Sequence, residues 1–219
     1  MELQHIAVIS DNFINLFNKK VCEKHVLNIM NLSTIIFPNH YHAIDDQSHG
    51  ECDFIDLTTS TKYDAKLPFL PNQIELLTSG KKHSPLILDW IKEMHAEAAD
   101  YNPFGIRSNP NYNVLDTKLG QIMKNAIQND NVDENIIFFI PYPISLSVED
   151  SIFLQFAGDY LSAIFDGLSK EFDFESRSIF VIYPSSRKNI FALRNLKCHR
   201  TEFIVYENME EYFSYKIVG

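Results

Sequence analysis

The chain has 219 residues, of which 45% are hydrophobic, and a formal net charge of −10. This composition fits one globular domain with a sizeable core. The acidic balance argues against a protein that coats nucleic acid non-specifically, although an enzyme with a locally basic face remains compatible with it.

No apolar run approaches the roughly 20 residues that cross a bilayer, and the amino terminus lacks the basic-then-apolar pattern of a signal peptide. The three cysteines, Cys22, Cys52 and Cys198, are widely spaced and odd in number. They predict neither a disulfide framework nor a thiolate zinc site. We therefore expect a cytoplasmic protein without membrane contact.

The first predicted elements are a helix at about 12–31 and a strand at 33–37. Asp11 is a suitable N-cap for the helix, whose apolar residues recur at three- and four-residue steps. The strand is an apolar run that ends at Pro38, and a polar loop over 39–50 follows it.

A β-hairpin is predicted next, because β-branched and aromatic residues flank a short polar turn. Its strands cover 52–58 and 61–67, with Thr59-Ser60 as the turn. Pro68 and Pro71 then end the second strand.

Helices and strands alternate over the rest of the chain. Apolar spacing indicates helices at 72–79, 85–100, 115–128 and 148–170. Apolar runs indicate strands at 136–140, 178–183, 190–193 and 201–206. The order predicts a single α/β domain over 1–219 with a mixed central sheet flanked by helices. Its core would span about 12–141, and a helix-and-strand extension would span about 148–219.

The hairpin carries a set of residues suited to phosphodiester chemistry. Asp64 and Lys66 lie two apart on a strand and so point to the same face. A two-residue turn at Thr59-Ser60 sets Asp53 opposite Lys66, and Glu51 shares that face as a further candidate ligand. A three-residue turn would slip the register by one and place Asp56 beside Asp64 instead of Asp53.

These residue types fit a divalent-metal site. Mg²⁺ prefers oxygen ligands and commonly takes one or two carboxylates, completing its shell with waters and phosphate oxygens. A lysine beside the metal can orient or deprotonate the attacking water and offset developing negative charge. The hairpin therefore predicts a site that hydrolyses phosphodiesters.

The segments Gly50-Glu51-Cys52-Asp53-Phe54-Ile55 and Tyr63-Asp64-Ala65-Lys66 resemble the PD-(D/E)XK nuclease superfamily. Restriction endonucleases, MutH-like mismatch nicking enzymes and archaeal Holliday-junction resolvases share its motif of an Asp, a turn, then an acidic residue, any residue and Lys. The resemblance covers about residues 12–80, and beyond them only general topology. It implies a restriction-endonuclease-like core of helix, three strands, helix and strand, which is the order predicted above.

The resemblance also implies roles for individual residues. Asp53 and Asp64 would bind Mg²⁺ (or Mn²⁺), and Lys66 would assist the water. Some members add a Glu from the first helix, for which Glu23 is the candidate. Others add a Gln from the helix after the motif, for which Gln73 is the candidate.

The motif is short, and the chain departs from it in part. Cys52 stands where the family usually has Pro, and Asp64 replaces the commoner Glu. A second match, Asp100 followed by Asp116-Thr117-Lys118, lies at a predicted helix start, where an acidic residue is favoured by the helix dipole. Strand context therefore selects the copy at Asp64.

A histidine-rich segment offers an alternative metal site. His40 and His42, followed by Asp45 and Asp46, partly resemble the HxHxDH motif of metallo-β-lactamase-like hydrolases. One extra residue precedes the first Asp, and Asp46 replaces the last His. We favour a polar loop at a sheet end, with a His-based zinc metallo-hydrolase as the alternative.

The most basic region runs from Arg177 to Arg200 and contains no acidic residue. Its candidate phosphate-binding residues, which would contact nucleic acid, are Arg187, Lys188, Arg194, Lys197 and Arg200. A solvated face of edge strands explains the same pattern.

The sequence thus predicts a Mg²⁺-dependent endonuclease that cleaves DNA. The residues beyond about 80 leave room for target recognition, so a sequence-specific restriction enzyme acting as a symmetric homodimer is the favoured subtype. The main alternative is an inactive nucleic-acid-binding or protein-binding module on the same fold.

Overall fold

The computed structural model describes residues 6–9, 15–44, 52–69, 75, 113–130, 134–140, 148–172, 174–175, 177–185, 190–206 and 215–218. Side chains are not described for 6–9, 148–159 and 215–218. The helix predicted at 85–100 lies outside these residues, as does all of the helix predicted at 72–79 except Glu75.

The described residues form three α-helices and nine strands. The helices are α1 (Lys19–Leu32), α2 (Lys118–Asn129) and α3 (Val148–Glu171). The strands are β1 (Ile6–Ile9), β2 (Tyr41–Ala43), β3 (Phe54–Asp56), β4 (Lys62–Lys66), β5 (Asn135–Phe139), β6 (Ile179–Pro184), β7 (Ile190–Asn195), β8 (Arg200–Val205) and β9 (Tyr215–Val218).

Strands β2 to β8 form one seven-stranded sheet in sequence order. Pairing is antiparallel from β2 to β4, parallel from β4 to β6, and antiparallel again from β6 to β8. The sheet is therefore mixed, as predicted, and the strands of the extension continue the sheet of the core. Strands β1 and β9 form a separate antiparallel pair that the sequence analysis did not predict.

Each face of the large sheet carries its own hydrophobic core, because side chains alternate along a strand. One core joins α1 to the sheet through residues that include Val26, Ile29, Ile137 and Phe139. The other joins α2 and α3 to the opposite face through residues that include Met123, Phe165, Ile136 and Phe138. We call these the α1 face and the α2/α3 face.

Helix α1 begins later than predicted. Asn18 is its N-cap, and its side chain accepts a hydrogen bond from the backbone N–H of Lys20 at 3.1 Å. Asp11, the predicted N-cap, lies outside the described residues. At the other end, the Ser33 N–H donates to the carbonyls of Ile29 and Met30, so the helix ends within one residue of the prediction.

The strand predicted at 33–37 does not form. The carboxylate of Glu202, on β8, instead accepts hydrogen bonds from the backbone N–H groups of Thr34, Ile35 and Ile36 at 2.9, 3.2 and 3.1 Å. The Ser33 hydroxyl also donates to this carboxylate, at 2.5 Å. Because successive N–H groups converge on one buried side chain, they are not available for a strand ladder.

A strand forms instead within the predicted polar loop. The side-chain amide of Asn31 brackets Tyr41, accepting from its N–H at 3.0 Å and donating to its carbonyl at 3.2 Å. Tyr41 is buried against Phe37 and Tyr63. This anchoring places β2 beside β3, with His42 opposite Ile55.

Helix α2 starts after a 3₁₀ turn at Val114–Asp116. Thr117 is its N-cap: the hydroxyl accepts from the Gly120 N–H at 3.2 Å and from the Tyr160 hydroxyl at 2.8 Å. Gly120 lies so close to the turn that an added Cβ would be 2.7 Å from the Val114 carbonyl oxygen. The close approach at Gly120 packs α2 onto the turn, and the hydrogen bond from Tyr160 joins the start of α2 to α3.

The remaining predicted elements are confirmed to within about three residues, among them the strand at 136–140, the helix at 148–170 and the three C-terminal strands. None of the helices that the structure describes combines the length and apolar character needed to cross a membrane.

Candidate metal centre on the β3–β4 hairpin

The hairpin turn is longer than predicted. Phe54 pairs with Tyr63 and Ile55 with Lys62, and the Asp56 N–H donates to the Thr61 carbonyl at 2.9 Å. The connection is therefore the four residues 57–60 rather than Thr59-Ser60 alone. The register differs from the predicted one by an even number, so the predicted faces of the strand residues are preserved. Asp53 does not lie opposite Lys66: it precedes β3, its N–H donates to the Tyr63 carbonyl at 3.0 Å, and its carboxylate contacts Asp64.

The alternative of a three-residue turn, with Asp56 beside Asp64, is wrong. Asp56 lies on the α1 face, where its carboxylate accepts from the Asn39 amide at 2.7 Å and from the Thr58 N–H at 2.8 Å. Burial opposes its ionisation, but these hydrogen bonds and those from Thr59 outweigh burial and lower the pKa of Asp56. Asp56 thus fixes the turn, and through it the register.

Asp64 and Lys66 point to the α2/α3 face. Their neighbours Tyr63 and Ala65 belong to the α1 core, and strand alternation turns Asp64 and Lys66 the other way. Asp53 is almost fully buried, at 1% exposure, and its Oδ2 accepts a hydrogen bond from the Ala65 N–H at 2.8 Å. This bond fixes one carboxylate oxygen of Asp53 against β4.

Six charged side chains form a row of successive contacts through the site. Lys19 Nζ lies 3.1 Å from Asp53 Oδ1 and 3.4 Å from Glu23 Oε1. Lys66 forms an ion pair with Asp64 and a second one with Asp130, where Nζ and Oδ1 are 3.1 Å apart. The order is Glu23, Lys19, Asp53, Asp64, Lys66, Asp130.

Negative and positive side chains alternate along this row except at its centre, where Asp53 adjoins Asp64. Burial, together with the hydrogen bond and negative charge of Asp53, raises the pKa of Asp64 to about 6 against the opposing effect of Lys66. Burial disfavours the ammonium of Lys66, but Asp64 and Asp130 outweigh it and raise its pKa. Lys66 is therefore an ammonium group at neutral pH.

A divalent ion fits this arrangement chemically. Four carboxylates and two ammonium groups leave a formal charge of −2 when all are ionised. Within the described part of the chain, no three His, Cys, Asp or Glu side chains are gathered as a ready metal-binding group. Two adjacent carboxylates nevertheless suffice for Mg²⁺, which draws its other ligands from waters and phosphate oxygens.

The structure thus brings together Asp53, Asp64 and Lys66, and connects Glu23 to them through Lys19. Two predicted supporting residues, Glu51 and Gln73, lie outside the described residues.

Two members of the cluster, Lys19 and Asp130, were not predicted from the sequence. Lys19 precedes Glu23 by one helical turn, a spacing that signals an ion pair but not its contact with Asp53. Asp130 follows the last residue of α2 and carries no local signal, because its contact with β4 depends on tertiary packing.

The second motif match has no comparable setting. Asp116 is exposed in the 3₁₀ turn, and Lys118 is the first residue of α2. Asp100 lies outside the described residues.

The histidine segment is described only in part. His40 and His42 are exposed, the latter on β2. Asp45 and Asp46, which would complete that metal site, lie outside the described residues.

The basic region is not next to the hairpin. Strands β5 and β6 separate β4 from β7, a distance of roughly 14 Å for three strand spacings. Arg194 packs onto α3, with an ion pair to Asp166 at 2.8 Å and its guanidinium 5.8 Å from the Phe165 ring centroid.

The other basic candidates differ in their surroundings. Lys197 donates to the Glu175 carbonyl at 3.1 Å, and Arg200 is exposed at the start of β8. Arg187 and Lys188 lie outside the described residues.

Comparisons with known proteins identify no relative. No family model matches the chain, and neither the curated proteins nor the solved structures contain a significant match.

Proposed function

We propose that this chain is a divalent-metal-dependent endonuclease of the PD-(D/E)XK type that hydrolyses DNA phosphodiesters. The observation that carries the proposal is that two carboxylates, those of buried Asp53 and of Asp64, contact each other, and that Lys66 forms an ion pair with Asp64. In this proposal Asp53 and Asp64 bind Mg²⁺ or Mn²⁺.

The order of elements around the site supports the same family. Along the described chain, α1 precedes three antiparallel strands, β2, β3 and β4, and α2 then leads to β5, which is parallel to β4. This matches the helix, three strands, helix and strand of the restriction-endonuclease-like core.

The residues have distinct tasks in the proposed hydrolysis. A divalent ion bound by Asp53 and Asp64 would polarise the phosphoryl group and acidify a coordinated water. Lys66 would act through its ammonium as a hydrogen-bond donor that orients the water and offsets charge on the phosphate. The Ala65 N–H holds Asp53 in place for the ion.

The finer functional assignments belong to the same proposal. A sequence-specific restriction enzyme that works as a homodimer in the cytoplasm is the favoured subtype. The basic residues on β7 and β8 are separated from the site, so they would contact DNA flanking the scissile bond rather than the bond itself.

The test is plasmid cleavage with Mg²⁺, with Mn²⁺ and with a chelator. Wild type should cleave only with a metal ion, and Asp64→Asn and Lys66→Met should each lose at least about 100-fold in rate. Lys62→Met is the matched control, because Lys62 is exposed on the same strand. Discrete fragments would support restriction, a smear would support non-specific cleavage, and full activity in both site variants would refute the site.

A further inference from the structure

Lys66 is held from two sides. Its ammonium pairs with Asp64 on its own strand and with Asp130 Oδ1 at 3.1 Å. Asp130 is the C-cap of α2, which packs on the face to which Lys66 points. The second contact therefore joins α2 to the hairpin.

The position of Asp130 is unfavourable for stability by itself. A carboxylate at a helix C-terminus meets the negative end of the helix dipole. The side chain is only 11% exposed, and its Oδ2 is buried without a hydrogen-bond partner in the structure as described. A buried acceptor without a partner costs stability. An aspartate at position 130 is therefore better explained by its ion pair with Lys66 than by a contribution to folding stability.

The two partners of Lys66 differ in what the proposed reaction requires of them. As a metal ligand, Asp64 must turn its oxygens toward the ion and away from the lysine. Lys66 is 33% exposed, and its flexible stem would move into solvent without another anchor.

We propose that Asp130 is a positioning residue that keeps the Lys66 ammonium at the reaction centre when Asp64 binds the metal ion. The inference rests on the proposed function. An ammonium group has three N–H donors. With one bonded to Asp130, the remaining donors are available to the attacking water and to a phosphate oxygen.

The experiment is a double-mutant cycle of Asp130→Asn and Lys66→Met, with kcat and KM measured on plasmid or duplex DNA. Asp130→Asn should lower kcat by about 10- to 100-fold, the usual effect of removing a partner that orients a site residue. KM should stay within about twofold, because Asp130 does not contact substrate. In the Lys66→Met background the same substitution should change kcat by less than about twofold.

Two alternatives make different predictions. If Asp130 is itself a metal ligand, Asp130→Asn will weaken Mn²⁺ binding in the Lys66→Met background, as titration calorimetry would show, and the inference is overturned. If the two substitutions act additively on kcat, Asp130 does not act through Lys66 and the inference is again overturned. Asp130→Glu, which keeps the anion, should restore part of the activity.

The same measurements distinguish a failure of the proposed function from a failure of this inference. Wild type that neither binds Mn²⁺ nor cleaves DNA would overturn it, and with it any catalytic positioning by Asp130. Denaturant unfolding of the same four metal-free proteins should show coupling between Asp130 and Lys66. Additive effects in that cycle would overturn the anchoring contact even if the enzyme is active.

Discussion

The carboxylates of Asp53 and Asp64 contact each other beside the β3–β4 hairpin, and these two like charges lie between Lys19 and Lys66. In the metal-free protein a proton relieves their repulsion. In the proposed function a bound cation would relieve it in the same place, so protons and metal ions would compete for this pair.

The first prediction concerns stability. Asp64→Asn should raise the free energy of unfolding at pH 8, because ionised Asp64 is disfavoured in the folded state. Its pKa of about 6 lies above the ordinary 3.8, so the folded state binds the proton more tightly. The wild type therefore loses stability relative to Asp64→Asn as pH rises from about 4 to about 6.

The gain at pH 8 should be at most about 3 kcal/mol, the equivalent of two pKa units, and should disappear below pH 4. Denaturant titrations without metal at several pH values measure it. A difference that does not vary with pH would contradict the assignment of the shift to Asp64.

The second prediction concerns metal binding and pH. Because a proton on Asp64 blocks a ligand oxygen, Mn²⁺ affinity should fall by up to about tenfold per pH unit below pH 6 and level off above it. Calorimetry at pH 5, 6 and 7.5 tests this. An affinity that is constant over this range would argue that Asp64 is not a ligand.

The third prediction concerns Lys19, whose ammonium neutralises Asp53 and Glu23 from the start of α1. Lys19→Met removes a cation that opposes metal binding and should tighten Mn²⁺ binding by about two- to tenfold, as expected for a partly exposed ion pair. Lys20→Met is the matched control on the same exposed helix start and should change affinity by less than about twofold. Equal effects of the two substitutions would indicate general electrostatics only.

The fourth prediction concerns Glu202 and its hydrogen bonds to residues 33–36. Burial opposes ionisation of Glu202, but the Ser33 hydroxyl and the backbone N–H groups outweigh it and lower its pKa. The bonds thus stabilise the fold above pH 4.5, and this contribution is lost as pH falls through the depressed pKa. Glu202→Gln should cost about 2–3 kcal/mol at pH 7.

Thermal or denaturant unfolding at pH 7 and pH 3.5 measures this cost, which should shrink in acid. Exposed Glu175→Gln provides a comparison. If Glu202→Gln is as stable as wild type at pH 7, the hydrogen bonds to residues 33–36 do not contribute as the structure indicates.

The pairing of Asp53 with Asp64 could be predicted from the sequence because side chains alternate between the two faces of a strand. Two residues therefore stay on one face whenever the register changes by an even number. The turn was expected at Thr59-Ser60 and in fact covers residues 57–60, an even change that leaves Asp53 and Asp64 on one face. The turn length itself depends on Asp56 and Asn39, which are 17 residues apart. Local sequence carries little information about such a contact.

The strand predicted at 33–37 failed for a related reason. Its apolar residues have strand character, but Glu202 lies 166 to 169 residues away and binds the backbone N–H groups that a strand would use. The same limitation hid Asp130, whose role depends on where α2 ends relative to β4. Motif and parity therefore predicted the pair at the centre of the site, and tertiary contacts supplied the residues around it.

The hydrogen bonds of Glu202 also impose an order on folding. The segment after α1 leaves a nascent chain's exit tunnel long before Glu202 does, and its N–H groups remain bonded to water until β8 has formed. Closure of so long a loop is slow compared with helix formation. Helix α1, which carries Lys19 and Glu23, is thus expected to reach its final position late, only after β8 has been synthesised.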